Sequence, residues 1–148
     1  ALVNTPPPTF TAPDAGRASG RAVQLVHPWS LGSVAPDGAL RVGVLSAEFH
    51  RAWPWSGARW RFVATRMSGM CDLLWVGEAG ALRQALAAAA SVDGRADPHL
   101  PPQLHEPGLQ EPVRLFARPP RRCASFTQFW RQVTSGMGSA GELLQRAN

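Results

Sequence analysis

Residues 40–86 have the sequence LRVGVLSAEFHRAWPWSGARWRFVATRMSGMCDLLWVGEAGALRQAL, in which two short apolar runs alternate with two amphipathic segments. The apolar runs, residues 40–45 and 73–76, have the length and composition of buried strands. The segments that follow them, residues 57–70 and 79–90, have helical periodicity. Strands that alternate with amphipathic helices predict a mainly parallel sheet covered by helices.

The first of these helices has the clearest signals. Trp60, Val63 and Met67 recur at helical spacing and predict one buried stripe. Ser56 stands immediately before the helix, where a serine side chain caps free backbone N–H groups. In the second helix Leu82 and Leu86 share one face.

Outside this stretch the pattern is weaker. Further strands are predicted at residues 22–26 and 113–116, and a last helix begins near Ser125, where Gln128 completes a capping box. Residues 91–111 contain several Pro and His residues and predict a long loop. The expected organisation is a Pro/Gly-rich linker over residues 1–21, one α/β domain over residues 22–136 and a frayed tail over residues 137–148.

The predicted fold is a three-layer, Rossmann-like α/β domain with a short, mainly parallel, four-stranded sheet. About a dozen residues separate the strands at 22–26 and 40–45, and they have the composition of a loop. A parallel pair normally needs a crossover helix. These two strands are therefore expected to be antiparallel, or the first of them to lie at an edge.

The composition shows one strong bias. The 148 residues are 45% hydrophobic, enough for one compact core, and their formal net charge is +5. All the basic residues other than His are Arg, and Lys, Ile and Tyr are absent. Because those three residues have AT-rich codons, a GC-rich bacterial genome explains the bias. The positive charge is therefore weak evidence for nucleic-acid contact.

The cysteines and the hydropathy pattern bear on the cellular location. Cys71 and Cys123 are far apart and have no metal-binding spacing, which favours two reduced thiols in a cytoplasmic protein. The sequence has no apolar run of transmembrane length and no secretory leader. A chain that begins with Ala1 rather than Met is expected to be a fragment of something longer.

Candidate site residues follow the predicted strands. In an open α/β sheet, ligands bind beyond the carboxyl ends of the strands. An imidazole, a carboxylate and an indole in one crevice are suited to a flat heterocycle, and the alternative is that His27 and His50 are ordinary loop histidines. The residues expected at this edge are His27, Trp29, Ser46, Glu48, His50 and Glu78.

Other chemistry has little support. The sequence contains no phosphate-binding loop, no nucleophile elbow and no His spacing typical of a metal site, so no catalytic residue or metal is predicted. A short basic loop carries Arg118, Arg121 and Arg122. It is a candidate contact for DNA phosphate or an acidic partner, and the alternative is a solvated surface loop.

The order of elements from residue 22 to 118 resembles the N-terminal α/β domain of DNA photolyases and cryptochromes. The matching places include the Arg-Trp-Arg-Phe helix that begins at Arg59 and the strand that ends in Gly77-Glu78. Three segments resemble a narrower group of proteins, the bacterial photolyase-like proteins, in the α/β region that follows the flavin-binding helical domain. These segments are residues 40–45, 49–56 and 123–130.

This resemblance implies an accessory domain of a photolyase-like flavoprotein that repairs pyrimidine dimers with light. FAD would then lie in the helical domain of the parent, which would be the partner of this domain and the route to DNA. No cofactor is implied for this chain itself, although an antenna chromophore is a candidate ligand. The alternative is a free-standing, degenerate nucleotide-binding-like module that binds protein or a small ligand.

Overall fold

The computed structural model describes residues 2–3, 6–32, 38–105, 108–112, 119–139 and 141–142. These residues form two compact units, Ala1–Glu111 and Pro112–Asn148, where the sequence predicted one domain over residues 22–136. In chain order the elements are β1 (Leu2–Val3), α1 (Ala15–Ala18), β2 (Ala22–Val26), β3 (Leu40–Ser46), α2 (Ala47–Ala52), β4 (Trp55–Ser56), α3 (Gly57–Ser68), β5 (Leu73–Gly77), α4 (Ala79–Leu86), β6 (Ser91–Asp93), a 3-10 helix (Pro102–Leu104) and α5 (Phe126–Val133).

The first unit is built on a four-stranded parallel sheet in the order β5-β3-β2-β6. The α/β prediction is thereby confirmed. A separate two-stranded antiparallel ribbon joins β1 to β4, where Leu2 lies opposite Ser56. Among the described residues no helix is long and apolar enough to cross a membrane.

Strand β2 lies inside the sheet and runs parallel to β3, with Val23 opposite Leu40. The expectation of an antiparallel or edge strand was therefore wrong. A connection of about 13 residues can extend to about 43 Å, whereas a five-residue strand is about 17 Å long. The chain can thus return to the start of β3 without a crossover helix.

The fourth strand is β6, Ser91–Asp93, which pairs with β2. The sequence placed these residues in a loop from 91 to 111, and that part of the prediction was wrong. Only Val92 of the three is apolar, and an edge strand this short has too few residues to show a period of two. The strand predicted at residues 113–116 lies outside the described residues.

Helices cover both faces of the sheet. One core lies against α1, α4 and the 3-10 helix, and the other lies against α3. In β3, Val42 and Val44 face the first core and Leu45 faces the second, as alternation along a strand requires. The three-layer architecture therefore follows from a strand that is apolar on both sides.

The segment expected to be a linker, residues 1–21, packs on the sheet over much of its described part. Phe10 and Ala18 are buried in the two cores. The Thr11 backbone N–H donates to the Leu74 carbonyl (2.9 Å), and its own carbonyl accepts from the Val76 N–H (2.8 Å). Thr11 thus covers the open edge of β5. Because these contacts show no apolar periodicity, they could not be predicted from the sequence.

The second unit contains α5 and begins at Pro112. Ser125 caps α5 as predicted, because its hydroxyl oxygen accepts from the Gln128 N–H (3.2 Å), and the Gln128 amide oxygen accepts from the N–H of Ala124 (2.8 Å), one residue before the position that a capping box uses. Phe126 and Trp130 are exposed. Of the predicted frayed tail, only residues 137–139 and 141–142 are described.

Candidate ligand-binding site

The strand order places a topological switch between β2 and β6. From β2 the chain moves to β3 and then to β5 on one side, and it crosses back to form β6 on the other side. In open α/β sheets, ligands bind in the crevice beyond the carboxyl ends of the two strands at such a point. Here those ends are followed by His27 and Gly94.

His27 fills this crevice. Its side chain is fully buried, its Nδ1 accepts from the Trp29 N–H (3.3 Å), and its Nε2 lies 2.8 Å from the Arg95 carbonyl oxygen. Since Nδ1 is an acceptor, the ring proton is on Nε2 and donates to Arg95. Burial lowers the pKa of His27 and keeps the ring neutral, against the opposing hydrogen bond to Arg95. His27 therefore joins the loops after β2 and β6 and has no free nitrogen for a ligand.

Beside the His27 ring lies a cavity of about 730 Å³ that we call the aromatic cavity. Its wall includes Trp29 after β2, Phe49 after β3 and His99 after β6. The α2–β4 connection and the first turn of α3 complete the wall. The full set of lining residues is Leu2, Trp29, Phe49, Trp53, Pro54, Trp55, Arg59, Pro98 and His99.

The rings of the aromatic cavity hold one another in place. Trp29 stacks on His99, with ring centroids 4.9 Å apart and an interplanar angle of 14°. Trp29 also makes edge-to-face contacts with Phe49, with ring centroids 5.0 Å apart, and with Trp55, with ring centroids 6.2 Å apart. Edge-to-face and stacked contacts at these distances are attractive. The cavity wall is therefore largely pre-formed.

One strong positive charge lies in this wall. Ser56 caps α3 by accepting from the Arg59 N–H (3.3 Å), which fixes Arg59 in the first turn. Its guanidinium carbon lies 4.2 Å from the centroid of the Trp55 ring, a cation–π contact. Within the part of the chain that the structure describes, no carboxylate pairs with Arg59.

His50 lies behind the wall rather than in it. Its side chain is 1% exposed, and its ring centroid is 4.4 Å from that of Trp55 and 4.6 Å from that of Trp60. Burial, assisted by the charge of Arg59, lowers the pKa of His50 to about 4. Its Nδ1 has no hydrogen-bond partner. Neutral His50 therefore packs as an aromatic residue that supports Trp55.

Ser46 and Glu48 cap helix ends, whereas the Glu78 side chain makes no capping bond. The Ser46 oxygen accepts from the Phe49 N–H (3.2 Å) at the start of α2 and donates to Glu48 (2.8 Å). The Glu48 carboxylate accepts from the Ala79 N–H at 3.1 and 3.2 Å, so it caps α4 from a neighbouring element. Glu78 instead forms an exposed, bidentate pair with Arg51 that lowers the pKa of the Glu78 carboxyl.

Of the six residues expected at this edge, the structure places only Trp29 in the aromatic cavity. Arg59 and His99 were not predicted as site residues. The position of His99 depends on β6, and the sequence predicts a loop there. Trp53 and Trp55, which lie just before α3, also line the cavity. In the second unit Arg121 and Arg122 are exposed, and Arg118 lies outside the described residues.

The side chains around the aromatic cavity are suited to binding a flat ring by stacking. The lining residues include no Ser, Cys, Asp or Glu. Cys71 lies elsewhere, beneath β3, where burial and the neighbouring Asp72 charge raise the pKa of its thiol to about 12. Nowhere in the described part of the chain do three His, Cys, Asp or Glu side chains come together to hold a metal.

The sheet order, the helices on both faces and the cavity at the carboxyl edge make the first unit a Rossmann-like α/β domain with a candidate ligand site. Comparison with protein-family models, with curated proteins and with solved structures finds no match for this chain.

Proposed function

We propose that this chain is a binding domain that holds a planar aromatic molecule in the aromatic cavity. The observation that carries the proposal is a cavity of about 730 Å³ whose wall contains four Trp and Phe side chains together with the stacked His99 ring. Small-molecule sites are typically about 300–1,000 Å³ and lined by aromatic side chains with a few polar groups.

The rim of the aromatic cavity gives further support. Trp53 is 66% exposed and Leu2 is 68% exposed, although both are large apolar side chains. A ring inserted between them would remove this apolar surface from water, at about 25 cal/mol for each Å². Burial of these two side chains by a ligand would therefore favour binding.

The resemblance to photolyase-like proteins suggests the identity of the ligand. The matching segment at residues 49–56 supplies Phe49, Trp53 and Trp55 to the cavity wall. We therefore propose an antenna chromophore as the bound molecule, in an accessory domain of a cytoplasmic flavoprotein for light-driven DNA repair. FAD would be bound by the helical domain of that parent. A free-standing module that binds a small ligand is the alternative, and it uses the same cavity.

The test is a titration of the purified chain with a reduced folate, a deazaflavin and FMN. The readouts are tryptophan fluorescence and the visible absorbance of the ligand. Saturable quenching is expected for at least one of the three. Trp53→Ala should weaken it roughly tenfold, because one stacking contact contributes about 1–3 kcal/mol. Phe62→Ala is the matched control, since Phe62 is 67% exposed and lies outside the cavity.

Two results would contradict the proposal. One is the absence of saturable binding for all three compounds at millimolar concentration. The other is equal weakening by Trp53→Ala and Phe62→Ala, which would place the ligand outside the aromatic cavity. Binding that transfers excitation to an added helical flavin domain would favour the photolyase-like parent, and binding without transfer would favour the free-standing module.

A further inference from the structure

The aromatic cavity has the composition of a site for cations but not the charge of one. Clustered Trp and Phe faces attract ammonium groups, because the face of each ring carries a partial negative charge. Here the face of Trp55 is already covered by the guanidinium of Arg59 at 4.2 Å. A cationic ligand would have to approach a positive charge that is fixed in the wall.

In the part of the chain that the structure describes, no Asp or Glu pairs with Arg59. The acid nearest in sequence to the opposite wall is Asp97, and its carboxylate is engaged by the backbone N–H (2.9 Å) and Nδ1 (2.8 Å) of His99. The charge of Arg59 also reaches the interior, where it helps to keep His50 neutral. Arg59 therefore contributes a positive charge to the cavity wall.

We propose that the aromatic cavity selects planar aromatic ligands that carry an anionic substituent, with a carboxylate or phosphate held by Arg59 while the ring stacks on the walls. This inference rests on the proposed function and adds the chemical class of the ligand. The guanidinium of Arg59 carries its N–H donors in one plane, and two of them can bind two oxygens of one anion.

The test compares three probes that share a ring system and differ in charge: 2-naphthoate, 2-naphthamide and 2-naphthylmethylammonium. Affinities are measured by isothermal titration calorimetry on the full chain at low salt. We expect 2-naphthoate to bind roughly tenfold more tightly than 2-naphthamide, since a charge-assisted hydrogen bond to an exposed arginine gives about that factor. The ammonium should bind most weakly, and 0.5 M NaCl should reduce the anion preference.

Variants assign the preference to one side chain. Arg59→Gln should remove the difference between 2-naphthoate and 2-naphthamide while binding of the amide persists, which also shows that the variant is folded. Arg59→Lys should keep part of the preference. Arg61→Gln is the matched control, because Arg61 is exposed on the same helix and does not line the cavity.

The outcomes separate this inference from the proposed function. If none of the probes binds, the cavity is not an aromatic site and both ideas fail. If all three bind with similar affinity, the site stands and the charge selection is overturned. If Arg61→Gln lowers the preference as much as Arg59→Gln, the net charge of the protein is responsible, and the role given to Arg59 is wrong.

Discussion

The Nε2 atom of His27 lies 2.8 Å from the carbonyl oxygen of Arg95, and this contact joins the loops that follow β2 and β6. These two strands flank the topological switch point, where an open α/β sheet normally leaves a crevice. Because the His27 ring occupies that crevice, space for a ligand remains only beyond it. The aromatic cavity lies there, and the stack of Trp29 on His99 forms part of its wall.

Replacement of His27 by Leu should therefore destabilise the protein. The variant leaves the Arg95 carbonyl without its donor, and a buried group without its partner costs about 1–3 kcal/mol. The measurement is the free energy of unfolding in urea at pH 7.5. Gln84→Ala, an exposed substitution on α4, should change it by less than about 0.5 kcal/mol. An unchanged free energy for His27→Leu would show that this hydrogen bond does not hold the two loops.

The sequence predicted the elements whose signals are local. Strand β3 is a continuous apolar run, and α3 combines the Ser56 cap with a buried stripe at Trp60, Val63 and Met67. Each of these signals lies within one element, so it can be seen without knowledge of the neighbours. By contrast, β6 and the packing of Phe10 depend on partners far along the chain. Their residues have no period of their own, so the sequence could not show them.

Gly43 is required by close packing in the middle of β3. A Cβ added there would lie 2.8 Å from Leu74 Cδ2, 2.9 Å from Met67 Cε and 3.1 Å from Cys71 Sγ. Three neighbours cannot all move without disturbing the contact between α3 and the sheet. Gly43→Ala should therefore cost about 1–3 kcal/mol in the free energy of unfolding.

Gly80 provides the opposite case for the same chemical change. It lies in α4, and a Cβ added there would meet nothing within 4 Å. Gly80→Ala should stabilise the protein by about 0.5–1 kcal/mol, because alanine loses less backbone entropy in a helix. Urea unfolding of the two variants side by side is the measurement. If Gly43→Ala does not destabilise the protein, the packing around Gly43 is not what the structure indicates.

The location of the candidate site could be predicted from the sequence, but the orientation of its side chains could not. The rule that ligands bind at the carboxyl ends of the strands points to the edge of the sheet where the aromatic cavity lies, and to Trp29 in its wall. It did not separate side chains that point outward from those that fill the interior. His27 and His50 follow strands as expected, but both side chains are buried. Arg59 gave no signal, since its place depends on the ring of Trp55 and not on spacing.

Two glutamates near the start of α4 should respond differently to truncation. The Glu48 carboxylate accepts from the Ala79 N–H and is half-buried, so Glu48→Ala should cost about 1 kcal/mol. Glu78 makes no capping bond, and its pair with Arg51 is exposed. Glu78→Ala should therefore leave the free energy of unfolding unchanged within error. Thermal and urea unfolding at pH 7.5 are the measurements, and equal losses for both variants would rule out Glu48 as the cap.

The stability of the protein should fall with pH below the range in which histidine normally titrates. Burial lowers the pKa of His50 from 6.5 to about 4 and also lowers that of His27. Below pH 6.5 the unfolded chain therefore binds protons that the folded chain does not. Stability is complete above pH 6.5 and is lost as the pH falls towards 4.

For His50 the loss at pH 4.5 should be about 2–3 kcal/mol. Among the described residues, the groups that face this ring are Phe49, Trp55 and Trp60, with the charge of Arg59 beyond them, and no acid raises its pKa. His50→Leu should thus retain its stability between pH 7.5 and 4.5 better than wild type by about that amount. At pH 7.5 the substitution His50→Leu should change the free energy of unfolding little, because it removes the unpaired Nδ1. Urea unfolding of both proteins across this range is the measurement, and parallel pH curves would show that folding does not lower the pKa of His50.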